Sequence, residues 1–117
     1  MLATSDLNWL VNVRHHLHQH PELSCDEAMT SAYIAERLAE LGIPAVTGIG
    51  GYGVVATLQG HGNGPAVGLR ADMDALAITE RTDLPYGSKN PGVMHACGHD
   101  GHMTILLGAA MILKRSN

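Results

Sequence analysis

Nine consecutive residues, Met94-His95-Ala96-Cys97-Gly98-His99-Asp100-Gly101-His102, gather three imidazoles, one thiol and one carboxylate. Thiolate and imidazole are the ligand types that suit zinc and its transition-metal neighbours. Cys97 and His99 are two apart, and Gly98 between them lets both side chains converge on one point. His102 follows His99 by three, a spacing that shares one helical face. A cysteine among apolar residues is ordinarily a small buried hydrophobe, and a lone histidine is ordinarily a surface or satisfied core residue. Five donor side chains in one stretch favour the metal-binding reading over these.

A second candidate lies upstream. Asp72 and Asp74 close the strand-like run Ala66-Val67-Gly68-Leu69-Arg70-Ala71. Two residues apart, they share one side in strand geometry. Catalytic groups gather at strand ends and the loops after them in α/β proteins. An aspartate there either binds a metal or holds a ligand histidine in the right tautomer. The competing reading caps a turn or pairs the carboxylates with Arg70 or Arg81.

The elements that must position these groups follow from periodicity and punctuation. Ser5-Asp6 predicts a helix start, with Leu7, Leu10, Val11 and Leu17 along one side until Pro21. Within it His16 and His20 are four apart, a chelating spacing that on most exposed helices does nothing. Ser24 and Glu27 match a capping box opening a second helix to Leu41, with Gly42 as a left-handed stop and Pro44 beyond it. Ala45–Thr47 reads as a short strand. The run Gly48-Ile49-Gly50-Gly51-Tyr52-Gly53 lacks the Lys-Ser/Thr of a phosphate loop and precedes a strand, so it reads as a turn. Val54–Leu58 and Ala66–Ala71, joined by a glycine-rich turn, predict a hairpin. Residues 79–96 read as an irregular loop. The last helix is expected from Gly101 or His102 to about Lys114, apolar over most of its circumference and therefore buried on more than one side. Its abrupt end at Asn117 reads as a sign of truncation.

The chain has 117 residues, 45% hydrophobic and 15% charged, which predicts one folded domain. A net charge of −4 leaves no basic patch for nucleic acid. Eight histidines move that charge toward positive below about pH 6.5. Two cysteines make no disulfide framework. No signal peptide is visible, and the apolar run Ile105–Leu113 is far too short to span a membrane. The expectation is a soluble cytoplasmic protein with no membrane partner.

Four pieces, in order, resemble the metal-dependent amidohydrolases of the M20 peptidase superfamily. They are Arg14-x-x-Leu17-His18-x-His20-Pro21-Glu22-Leu23-Ser24, Gly68–Leu76, Met94–His102 and the helix after it. The branch most similar holds hippurate hydrolases, N-acyl-amino-acid amidohydrolases and auxin-conjugate hydrolases. The resemblance implies an α/β, zinc-exopeptidase-like catalytic domain with helices packed on a mixed sheet. Residues 1–117 would be its N-terminal part, without the lid or dimerisation domain and the rest of the catalytic domain. It implies two divalent metals, manganese or zinc, with Cys97 and His99 as ligands and Asp74 as the catalytic aspartate beside them. Asp72, where other branches carry a ligand histidine, is placed next to the ligands together with Asp100 and His102. The family's glutamate pair, which supplies a ligand and the general base, and two later histidine ligands have no counterpart here. The activity implied for the complete protein, a homo-oligomer, is hydrolysis of the amide bond of N-acyl amino acids or similar small amides. This chain alone is expected to be inactive. The alternatives are an exopeptidase or dipeptidase of the same superfamily, and a truncated non-catalytic metal-binding domain.

Overall fold

A computed structural model describes residues 1–117. The order of elements is α1 (Thr4–Gln19), α2 (Ala28–Glu40), β1 (Ala45–Ile49), β2 (Gly53–Ala56) and α3 (His99–Ser116). The three helices share one core of Val13 and Leu17 from α1, Ile34 and Leu38 from α2, Met103 and Leu107 from α3, and Ile43. Each such side chain, once fully buried, contributes roughly 2 kcal/mol. No helix is long and apolar enough to cross a membrane.

α1 begins one residue before the predicted Ser5, after Ala3, and Asp6 closes its first turn by accepting the Ala3 N–H at 2.7 Å. The same carboxylate receives both terminal nitrogens of Arg115 at 2.7 and 2.8 Å, tying the start of α1 to the end of α3. The Arg115 guanidinium and the Ala3 N–H hold the Asp6 carboxyl down at about 2, from an ordinary 3.8. A depressed carboxyl pKa supplies stability above the unfolded value and loses it as pH falls through the folded one. The urea midpoint should therefore drop between pH 4 and pH 2. Asp6→Asn should flatten that part of the curve, and an unchanged curve in the variant would contradict the pairing.

The capping box expected from Ser24 and Glu27 does not form. Cys25 adopts a left-handed conformation (φ +67°) and turns the chain, so Ser24 falls outside the helix and Glu27 becomes the residue before its first turn. The Glu22 carboxylate caps α2 instead, accepting the N–H of Met29 (3.2 Å) and of Thr30 (2.5 Å) and the Thr30 hydroxyl (2.6 Å). At the other end the sequence reading holds. Gly42 takes φ +69°, its N–H reaches the Ala39 carbonyl, and the Ile43 N–H reaches that of Leu38. Those paired bonds close the helix and drop Ile43 into the core beside Leu38.

The α/β class holds, but within these residues the expected mixed sheet reduces to one antiparallel hairpin, β1 with β2, and two isolated bridges. β1 runs two residues past the predicted Thr47. The predicted hairpin of Val54–Leu58 with Ala66–Ala71 is wrong. β2 pairs with β1 across the three-residue turn 50–52, where Gly50 and Gly51 both take positive φ, and this shorter closure displaces the longer one. Residues 66–71 run without a ladder partner, leaving Val67 and Leu69 exposed.

α3 also departs from expectation. It starts at His99, and it buries one stripe, with Met103, Thr104, Leu107 and Met111 turned inward and Ile105, Ile112 and Leu113 left exposed. α1 packs against α3 along its buried stripe.

Candidate metal centre

The donor cluster sits where the loop enters α3. Gly98 immediately precedes the helix with φ +84° and ψ 15°, a conformation that only glycine adopts cheaply. That turn places Cys97 just outside the helix and His99 at its first position. The His99 Nδ1 faces two oxygens of Asp74, the backbone carbonyl at 2.8 Å and the carboxylate Oδ1 at 3.0 Å. With only acceptors before it, Nδ1 carries the hydrogen and donates it, which leaves the Nε2 lone pair free. A carboxylate or carbonyl behind a histidine is the usual arrangement for orienting a metal ligand. Asp74 thus meets the cluster at His99. The Cys97 thiol is free and exposed.

Backbone bonds bring Asp74 to this place. The Ala75 N–H donates to the Glu22 carbonyl at 2.8 Å, and Leu76 and Met94 exchange two bonds at 2.9 and 3.0 Å. The segment after Asp74 is thus pinned between the end of α1 and the loop leading into Cys97.

The other candidates fall elsewhere. Asp72 lies at the surface, paired with Arg70 at 2.9 and 3.0 Å, the competing arrangement its position allowed. His102 is exposed one turn into α3, its ring centroid 5.9 Å from that of His99. Asp100 is turned away from the donors and almost completely buried, accepting from His18 Nδ1 at 2.8 Å and Arg14 Nε at 3.1 Å. His16 and His20 do lie side by side, but His16 stacks on Tyr33 at 3.9 Å. An open cavity of about 250 Å³ between α1 and α2 is lined by this pair and contains none of the cluster.

Sequence reasoning missed the polar network behind the cluster. His18 Nε2 meets Glu80 Oε1 at 3.0 Å while its Nδ1 meets Asp100, so one buried imidazole bridges two carboxylates. Burial pushes the Asp100 carboxyl up, but His18, the Gly101 N–H and Arg14 outweigh it and hold it below the ordinary range. Glu80 behaves alike, with Thr82, the Ser88 N–H and His18 overcoming burial. Tyr86 joins the network through Arg14 and stacks on His15 at 3.8 Å. The signal was available on α1, where Arg14 and His18 are four apart and flank the buried Val13 and Leu17. Glu80 had none, because it reaches the site from an irregular loop. His95 is likewise buried, with neither ring nitrogen hydrogen-bonded, and burial lowers its pKa.

No three His, Cys, Asp or Glu side chains converge on one point. Cys97 and His99 have the donor chemistry for a soft divalent metal, and they amount to half of a four-coordinate site.

The chain is similar to several known proteins. Residues 68–117 match the model of peptidase family M20/M25/M40. The chain is 52% identical over 107 residues to N-acetyl-L-cysteine deacetylase of Bacillus subtilis, covering 92% of this chain and 26% of that protein. Against hippurate hydrolase of Campylobacter jejuni it is 50% identical over 105 residues, with 90% and 27% covered. The crystal structure of the Bacillus subtilis YXEP protein, a dinuclear metal-binding peptidase from the M20 family, superposes with a TM-score of 0.93 at 42% identity, covering 97% of this chain and 32% of that one. The chain spans about a quarter of the length of the curated relatives it matches. Aspartate-backed His99 and the free Cys97 thus lie in the segment that matches the M20/M25/M40 peptidase family, on a backbone that follows an M20 crystal structure over nearly its whole length.

Proposed function

We propose that residues 1–117 form the N-terminal part of the catalytic domain of a metal-dependent amidohydrolase that cleaves the amide bond of N-acyl amino acids. The observation that carries this reading is the His99 ring, held by Asp74 with Nε2 free and set one glycine away from the Cys97 thiol. A divalent cation in such a site supplies Lewis acidity toward an amide carbonyl and toward water. The chain's own residues do the holding: Cys97 and His99 donate, and Asp74 fixes the ring that donates. The softness of thiolate and imidazole favours zinc over manganese, and the dinuclear relative supports two metals in the complete site. The remaining donors and the base that accepts the water proton lie on other parts of the complete protein.

An exopeptidase reading has its own support, since the structural relative is a peptidase. The test is a parallel assay of the longer protein that carries this chain, loaded with zinc or manganese, on N-acetyl and N-benzoyl amino acids and on dipeptides. Faster turnover of the acyl amino acids, lost in Cys97→Ala, is the expected result. Preference for dipeptides would move the assignment to an exopeptidase, and activity unchanged in Cys97→Ala would overturn both.

A further inference from the structure

The segment that ends α1 touches both halves of the donor site, though none of its side chains is a ligand. His18 grips Asp100, the residue directly after His99, at 2.8 Å. Four residues on, the Glu22 carbonyl takes the Ala75 N–H at 2.8 Å, and Leu23 bridges Ala75 in parallel fashion, directly after Asp74. Between them Gln19 and Pro21 accept bonds from Lys89 and Asn90 of the loop that leads to Cys97, at 2.8 and 3.1 Å. One stretch, residues 18–23, is therefore bonded to both the Asp74 end and the His99 end.

We propose that this stretch is the jig of the metal site, with His18 as its positioning residue; the inference rests on Cys97 and His99 being metal ligands. His18 suits the task because each of its ring nitrogens has a carboxylate oxygen as partner, Asp100 on one side and Glu80 on the other. Arg14 adds a further hold on Asp100 at 3.1 Å. With Asp100 held at the second position of α3, the helix cannot rotate or start a residue late. Either motion would carry His99 off the Asp74 oxygens and away from Cys97. Orienting partners of this kind change metal affinity about 10–100-fold when lost.

The experiment is a cobalt(II) titration of the protein, reading the thiolate-to-cobalt charge-transfer absorbance, in the wild type, Cys97→Ala, His18→Phe and His18→Gln. The wild type should show the band and Cys97→Ala should lack it. His18→Phe fills the same space without donors, and its cobalt affinity should fall about tenfold or more. His18→Gln, which can still donate to one carboxylate, should lie between the two and keeps the test open if the Phe variant folds poorly. Circular dichroism establishes that the helices persist in each variant. Wild-type affinity in a folded His18→Phe or His18→Gln overturns the inference and leaves the metal reading standing. A wild type with no thiolate band overturns the metal reading and the inference with it.

Discussion

Asp100→Ala is expected to destabilise the protein by about 3–5 kcal/mol, the range for removing one partner from a buried ion pair. The Asp100 carboxylate is almost fully enclosed and serves His18, Arg14 and the Gly101 N–H together. Its loss leaves the buried His18 ring with a donor that faces nothing, and leaves half-exposed Arg14 with only its bond to Tyr86. Arg14 can turn to solvent, which places the effect nearer 3 kcal/mol than 5. Against a total stability of about 5–15 kcal/mol, that is a large fraction. The thermal midpoint should fall by roughly 10 °C. A urea unfolding curve shifted by less than 1 kcal/mol would show that the network contributes little to the fold.

Asp74→Ala is expected to weaken divalent-metal affinity by about tenfold, at the lower end of the 10–100-fold range for residues that orient a ligand histidine. Two oxygens face His99 Nδ1, and the substitution removes only the carboxylate at 3.0 Å while the Asp74 carbonyl at 2.8 Å stays. The hydrogen therefore remains on Nδ1, but the ring loses the negative charge that makes Nε2 a stronger donor. Competition with a zinc chelator measures this directly. Unchanged affinity would mean the carboxylate is idle and the backbone alone sets the ring.

How far the sequence reaches is clear from particular residues. The stop at Gly42 was legible because it is written in local residue type, and the aspartates at the end of the 66–71 run were read as facing the cluster, which Asp74 does at His99. The helix start was misread because Glu22, which caps α2, lies outside the four-residue capping box, and a turn at Cys25 swings it back. Residues 66–71 have the composition of a strand, yet a strand exists only against a partner, and β2 had a nearer one in β1. Asp100 looked like part of the donor set because it is adjacent to His99. Helical geometry turns successive side chains about 100° apart, which sends Asp100 into the core toward His18 while His99 faces Asp74. The His18 bridge to Glu80 joins residues 62 positions apart and had no local trace.

The central claim is that Cys97 and His99 hold a metal together. X-ray absorption at the zinc edge of the zinc-loaded protein tests it most directly. The expected spectrum contains one sulfur scatterer at about 2.3 Å and nitrogen or oxygen scatterers at about 2.0–2.1 Å, with the sulfur lost in Cys97→Ala. A spectrum of light atoms alone, or a sulfur shell that survives in Cys97→Ala, would contradict the account.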